Sequence, residues 1–178
     1  MAKIEYVAND IRKPTDVVDA IRARRQGELF NLDRMLLHSP AYAAGWNQFL
    51  GAVREDLTIS KRLRELAICY VAILNQAEYE YIHHAPIYLA EGGTETALEY
   101  LKTGESDSVT LAEHFDHQEV AVIALTYAMT KEITVSDDIF AQARTAFGDE
   151  QSIVEIVGVI AAYNMVSRFL VALGIEPE

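Results

Sequence analysis

The feature that most constrains this fold lies over residues 65–84, where an apolar segment is followed at once by acidic, tyrosine and histidine side chains. After a charged first turn, KRLRE, residues 66–74 are apolar on every side of a helix. A helix that is apolar all round is normally buried. The sequence therefore predicts that this helix and the next one, over 77–91, form the centre of the fold.

Apolar residues at helical spacing recur along the rest of the chain, and no stretch alternates as a β-strand would. Helix starts are marked by Ser39 followed by Pro40, by Ser60, and by a capping box of Asp116 and Glu119. The pattern predicts an all-α protein. The expected helices cover 16–27, 30–38, 40–56, 60–74, 77–91, 94–102, 118–131, 137–147 and 149–174, with a polar loop over 104–110.

Two of these helices have a face that the sequence defines by spacing. On the helix over 40–56, one side consists of Tyr42, Trp46, Phe49, Leu50 and Val53, and we expect Trp46 to lie in the core. On the helix over 118–131, the inward side consists of Val120, Ile123, Ala124, Tyr127 and Ala128.

Length, charge and cysteine content limit the class of protein. The 178 residues fit one domain, 1–178, with an N-terminal helical extension over 15–59 and a core over 60–174. A net charge of −12 argues against a nucleic-acid partner, since phosphate binding needs a basic patch. Cys69 is the only cysteine, so the chain forms no intramolecular disulfide. No apolar secretory signal is present, and we expect a cytoplasmic protein.

The segment over 153–175 is apolar enough to raise the question of a membrane span. Glu155, Asn164 and Arg168 interrupt it, and an arginine inside a bilayer is costly. We therefore expect a buried helix and no membrane.

The candidate site is formed by side chains from the two central helices. Ala77, Glu80 and His84 share one face of the second helix, because residues three, four and seven apart lie on the same side. A turn near Asn75 would bring Glu65 back toward that face. Two carboxylates and an imidazole would then converge, which is how acid–base pairs are built.

Simpler interpretations remain open for the same residues. Glu65 could pair with Arg62 or Arg64, and Glu80 with His84 could be a surface pair. Carboxylate and imidazole ligands would also suit a metal ion, but the second Glu-x-x-His motif of di-iron bundles is missing, so we expect no metal.

Other residues are weaker candidates for a role in this site. Tyr79, Tyr81 and His83 are candidates for substrate binding, with His83 pointing about 100° away from His84. A cysteine among apolar residues has a raised pKa and poor access, which argues against Cys69 as a nucleophile. On the last helix, structural roles are favoured for three polar residues that could also reach the site or an interface: Tyr163, Asn164 and Arg168.

Three stretches together resemble a known family: RELAICYVAILNQAEYEYIHH, the upstream LLHSPAYAAGWNQFLGAVRE and the closing AAYNMVSRFLVALG. The chain is similar to the carboxymuconolactone decarboxylase-like branch of the AhpD-like superfamily over about residues 19–174. The resemblance implies an all-α helical bundle whose subunits associate as trimers or hexamers.

The peroxidase branch of that superfamily has a glutamate, eleven residues, Cys-x-x-Cys and, after three more, a histidine. Here Glu65 and His84 keep the frame, whereas Ala77 and Glu80 stand at the two cysteines. Thiol peroxidase chemistry needs an attacking and a resolving thiol, so it is disfavoured. The Tyr79-Glu80-Tyr81 sequence before the histidine resembles the Tyr-Glu-Trp motif of the decarboxylase branch.

The resemblance implies a cofactor-independent decarboxylase acting on a small carboxylated lactone or oxo-acid. We expect His84 as general acid, Glu80 as its orienting partner and Glu65 as a second proton relay. The alternatives are an AhpD-like protein without the redox cysteines, or a non-catalytic helical oligomer that binds a small molecule.

Overall fold

The computed structural model describes residues 1–104 and 108–178, and every regular element within those ranges is a helix. This confirms the predicted all-α fold. The helices are α1 Thr15–Arg24, α2 Asn31–Leu36, α3 Pro40–Glu55, α4 Lys61–Asn75, α5 Glu78–Ala90, α6 Glu95–Thr103, α7 Ser108–His114, α8 His117–Tyr127, α9 Asp137–Phe147 and α10 Glu150–Leu173, with a π-helical segment Ala128–Glu132 between α8 and α9.

The chain contacts divide into two compact units, Met1–Leu57 with Leu170–Glu178, and Thr58–Phe169. The assignment of residues 1–178 to one domain, with an extension over 15–59, stays a prediction. All the residues of the candidate site lie in the unit formed by Thr58–Phe169.

In the first unit, the Asp33 carboxylate is buried between two arginines. Its oxygens lie 3.1 Å from Arg24 Nη2 and 3.0 Å from Arg25 Nε. On α3, the expected core residue Trp46 is buried, as are Leu50 and Val53 of the same predicted side. Two other residues of the same predicted side, Tyr42 and Phe49, are 45% and 49% exposed.

The second unit is organised around α4, whose residues 63–72 are all buried. Ser60 caps this helix by accepting a hydrogen bond from the Leu63 amide at 3.3 Å. The helix ends where Gln76 adopts a left-handed conformation with φ of 56°. That turn reverses the chain, and both α5 and α8 pack against α4. The predicted central pair of helices is therefore present.

In the C-terminal half of the chain, the predicted capping box is present. Asp116 Oδ1 accepts from the amides of Gln118 and Glu119 at 2.9 Å each, and Glu119 Oε2 accepts from the Asp116 amide at 3.0 Å. Ser136 caps α9, and Gly148, with φ of 74°, ends it as expected.

Two expectations for this half need correction. Residues 105–107 of the predicted polar loop lie outside the described residues, Gly104 ends α6, and residues 108–110 are the start of the unpredicted helix α7. Of the face expected to point inward, Ile123 and Ala128 are buried, Val120 and Ala124 are half-buried, and Tyr127 is exposed. Ala121, Val122 and Leu125, which the sequence does not predict to point inward, are buried as well. This helix is apolar on more than one side, so its sequence alone does not fix the inward face.

Helix α10 is long and apolar enough to cross a membrane by length and composition, and half of its apolar window is buried inside the protein. A core helix of a soluble protein has the same properties. The expectation of no membrane partner stays a prediction.

The cap at Asp116 makes a testable contribution to stability. Burial opposes ionisation of this carboxyl, but the Glu119 amide and the Arg62 guanidinium outweigh it and lower the pKa of Asp116. Replacing a capping aspartate typically lowers the free energy of unfolding by about 1 kcal/mol. We expect a loss of this size for Asp116→Ala at pH 7, measured by urea unfolding.

The same variant should show a specific pH dependence. A carboxyl with a lowered folded pKa stabilises the fold above its unfolded value of 3.8 and loses that contribution as the pH falls through its folded value. The stability difference between wild type and Asp116→Ala should therefore shrink in acid below that value. Asp138→Ala, an exposed acid on α9, is the control. An equal difference at neutral and acid pH would contradict the assigned role.

Candidate functional site

The centre of the site is a buried hydrogen bond between the two central helices. Glu65, on α4, and His84, on α5, are 3% and 9% exposed. His84 Nδ1 lies 2.6 Å from Glu65 Oε2. The convergence of these two residues, which the sequence predicts from their spacing, is thus present in the fold.

This hydrogen bond fixes the position of one proton on the His84 ring. A carboxylate only accepts hydrogen bonds, so with Glu65 ionised the hydrogen is on His84 Nδ1. In acid–base chemistry, the second ring nitrogen, Nε2, would be the atom that exchanges a proton. The ring of Tyr163 meets the His84 ring edge to face, with centroids 5.0 Å apart and planes at 85°, and so holds its orientation.

The simpler ion pair is present as well. Arg64 Nε lies 3.5 Å from Glu65 Oε1, and the side chains of both residues are buried. Arg62 points elsewhere, with its guanidinium 2.5 Å from Asp116 Oδ2 and 3.5 Å from Glu119 Oε1. Glu65 therefore joins a cation on one oxygen and an imidazole on the other.

Glu80 is a second buried carboxylate, and it is held from α10. The hydroxyl of Ser167 donates to Glu80 Oε1 at 2.9 Å, and both residues are inaccessible to solvent. Sequence reasoning missed Ser167. The sequence offers only a polar residue one turn after Tyr163, which does not indicate Glu80 as its partner.

Cys69 lies close to both carboxylates. Burial raises the pKa of its thiol, and the negative charges of Glu65 and Glu80 raise it further. A thiol in such surroundings is a poor nucleophile, because the thiolate is the reactive form.

The three candidates for substrate binding, Tyr79, Tyr81 and His83, lie in two different places. Tyr79 is buried and stacks on His83, with ring centroids 4.3 Å apart, while His83 Nδ1 donates to the Tyr79 carbonyl at 2.7 Å. Tyr81 instead lies under Lys102, whose Nζ is 4.7 Å from the ring centroid. A hydrogen bond to Glu99 and another to Tyr81 raise the pKa of Lys102.

On α10, the polar residues singled out by sequence have different surroundings. Tyr163 reaches the site through its contact with His84. Asn164 belongs to a partly buried network: it donates to Thr130 Oγ1 at 2.9 Å, and its Oδ1 accepts from Asn75 at 3.1 Å and from Arg168 at 2.8 Å. The structural role expected for Asn164 and Arg168 stays a prediction.

The two cavities described in the structure lie elsewhere. One, of about 350 Å³, is lined by Tyr81, Ile82, Ala85, Pro86, Leu89, Glu95, Leu98 and Glu99. The other, of about 650 Å³, is lined by Ala112, Phe115, His117, Val120, Gln142, Thr145 and Ala146. Among the described residues, no group of three or more His, Cys, Asp or Glu side chains is arranged to hold a metal ion.

Part of the chain is similar to a known protein family. Residues 40–106 match the carboxymuconolactone decarboxylase family. No protein with a curated description matches the chain.

Solved structures extend the similarity to the whole chain. An uncharacterized peroxidase-related protein from Silicibacter sp. TM1040 is 16% identical, with a TM-score of 0.79 over 99% of this chain and 92% of that one. A peroxidase-related protein from Ralstonia eutropha, described as an alkylhydroperoxidase AhpD core, is 17% identical, with a TM-score of 0.77 over 93% and 86%. A variant of the debrominase Bmp8 in complex with 2,3,4-tribromopyrrole is 15% identical, with a TM-score of 0.78 over 100% and 94%.

The structural neighbours and the family match support different parts of the resemblance. At such identities, the structural neighbours show a shared fold and not a shared activity. The family match covers α3 to α6 and includes Glu65, Ala77, Glu80 and His84. The resemblance is therefore confirmed: the protein has the AhpD-like fold and carries the carboxymuconolactone decarboxylase family segment over residues 40–106.

Proposed function

We propose that this protein is a cofactor-independent enzyme that decarboxylates a small carboxylated lactone or related oxo-acid by acid–base catalysis. The observation that carries the proposal is the buried hydrogen bond of 2.6 Å between His84 Nδ1 and Glu65 Oε2. It makes Nε2 of His84 the atom that faces the reaction, and it supplies a negative charge that stabilises the imidazolium.

The reaction follows from what such a pair can do. The carbon–carbon bond to the carboxylate breaks, CO2 leaves, and the bonding electrons enter the conjugated carbonyl to give a dienolate. His84 Nε2–H then protonates the carbon, so that a proton replaces CO2 and the imidazole is left neutral until solvent reprotonates it. None of these reaction steps requires a thiol.

The roles of the two carboxylates follow from their contacts. We assign an orienting role to Glu65, because it makes the hydrogen bond to His84 Nδ1, and we keep Glu80 as a second carboxylate partner of His84. Glu80, held by Ser167, is the second carboxylate of the site and lies near Cys69. Tyr79 and His83, which stack on each other beside it in sequence, are proposed to contact the substrate.

A homo-oligomer of three or six subunits and a cytoplasmic location remain part of the proposal. Several large apolar side chains are exposed within Thr58–Phe169, which supports burial of this surface against other copies. They are Ile82, Ile87, Tyr127, Ile133, Phe140 and Val154.

The second candidate is a non-catalytic protein of the same fold that binds a small apolar molecule. It is favoured by the cavity of about 650 Å³, whose lining is largely apolar and which does not include Glu65, Glu80 or His84.

Substitutions in the site distinguish these candidates. His84→Ala and Glu80→Gln should each lower the turnover of carboxymuconolactone or a related oxo-acid by about 100- to 10,000-fold, the usual contribution of general acid–base catalysis. Turnover is measured as CO2 release, with circular dichroism and light scattering to confirm the fold and the oligomer size.

Glu78→Gln is the matched control, because Glu78 is an exposed acid in the same helical turn as Glu80. It should keep wild-type turnover. Full activity in His84→Ala or Glu80→Gln would refute the catalytic assignment and favour the binding protein.

A thiol peroxidase mechanism would require a reactive thiol at Cys69. Burial and two nearby carboxylates raise the pKa of this thiol, so it should react with a thiol reagent such as DTNB only after denaturation. Any consumption of an organic hydroperoxide should be the same in wild type and Cys69→Ser. Rapid labelling of the native protein, together with peroxide turnover that is lost in Cys69→Ser, would restore the thiol mechanism.

A further inference from the structure

Arg64 is a buried cation with one N–H group, at Nε, that receives no hydrogen-bond acceptor from the described residues. Arg64 is only 4% exposed, and an arginine is almost never buried to this extent unless an anion pairs with it. The guanidinium carries five N–H donors in a planar fork.

The nearest anion does not meet this need. Glu65 Oε1 lies 3.5 Å from Arg64 Nε, a distance that gives an ion pair but a poor hydrogen bond. The other oxygen, Oε2, is engaged by His84 at 2.6 Å. Glu65 therefore attracts the guanidinium without satisfying its Nε–H donor.

The neighbouring Arg62 shows how an arginine side chain ordinarily satisfies its N–H donors. Arg62, on the same helix, has a side chain that is 36% exposed, so water can hydrate it. It also makes a hydrogen bond of 2.5 Å to Asp116 Oδ2. Since a buried, unsatisfied donor is unfavourable and calls for an explanation, the contrast points to a role for Arg64 outside the fold.

We propose that Arg64 binds a carboxylate group of the ligand within the Glu65–His84 site, an inference that rests on the proposed decarboxylase function. The guanidinium fork matches the two oxygens of a carboxylate and can donate to both at once. Arg64 and His84 are both joined to Glu65, so a ligand held by Arg64 lies next to the imidazole.

The chemistry of decarboxylation decides which carboxylate this is. A carboxylate that leaves as CO2 loses its charge in the transition state. A cation paired with it would stabilise the ground state more than the transition state and would slow the reaction. Arg64 therefore holds a carboxylate of the ligand that does not leave as CO2.

Acetate is a suitable probe because it binds without reacting. It is titrated into the full chain at constant pH and ionic strength, and the histidine ring signals are followed by NMR, with His84 assigned from His84→Gln. We expect a saturating shift of the His84 signal in the wild type. Arg64→Met, which keeps the apolar stem, should weaken this binding by about tenfold or more, since it removes charged hydrogen bonds.

Arg62→Met is the matched control and should bind acetate like the wild type. If Arg64→Met does not fold, Arg64→Lys decides: weaker binding supports the inference, because lysine lacks the fork, and unchanged binding refutes it. The inference is also refuted if the wild type shows no saturating shift, or if Arg64→Met binds acetate unchanged. A wild type that binds acetate through Arg64 but decarboxylates nothing contradicts the proposed function alone.

Discussion

The hydrogen bond between Glu65 and His84 is the interaction on which the site depends. The two residues are 19 positions apart and meet only because Gln76 turns the chain back, so that α5 packs on α4. Polar groups in a protein interior are unfavourable unless they find partners. Each of these side chains satisfies the other, and the bond therefore also favours this pairing of the two central helices over alternatives that would leave a charge buried alone.

The same reasoning applies to the other ionisable groups around it. Arg64, Glu65, Glu80 and His84 are all buried, and Cys69 lies close to both carboxylates. Apolar residues of similar volume would often stabilise such a core as well or better. A concentration of buried titratable groups is typical of a functional site, where their charges serve a ligand or a reaction.

The family segment and the structural neighbours share a scaffold whose chemistry depends on a few positions. Where the peroxidase branch of the superfamily has two cysteines, this chain has Ala77 at the entry to α5 and Glu80 beneath Ser167. The glutamate and histidine of that frame, Glu65 and His84, are present without the two thiols, and they are hydrogen-bonded to each other. Neighbours described as peroxidase-related proteins and a debrominase agree with the rule that a fold does not dictate a reaction.

By itself the sequence determined the local features of the fold. It specified the helices other than α7 and the caps at Ser60 and Asp116, because a cap depends on residues a few positions apart. It also identified α4 as the buried helix, because α4 is apolar on every side. The meeting of Glu65 and His84 followed from periodicity and one turn, which is nearly local information.

Tertiary packing decided what periodicity leaves open. On α8, more than one side is apolar, so contacts with other helices chose Leu125 over Tyr127 for the interior. Ser167 lies 87 positions from Glu80, and no spacing rule links them. The spare donor of Arg64 was likewise invisible in the sequence, where Arg62 and Arg64 are equivalent candidates for an ion pair with Glu65. Only the packed structure exposes one arginine to water and buries the other beside Glu65, because burial depends on every neighbouring helix at once.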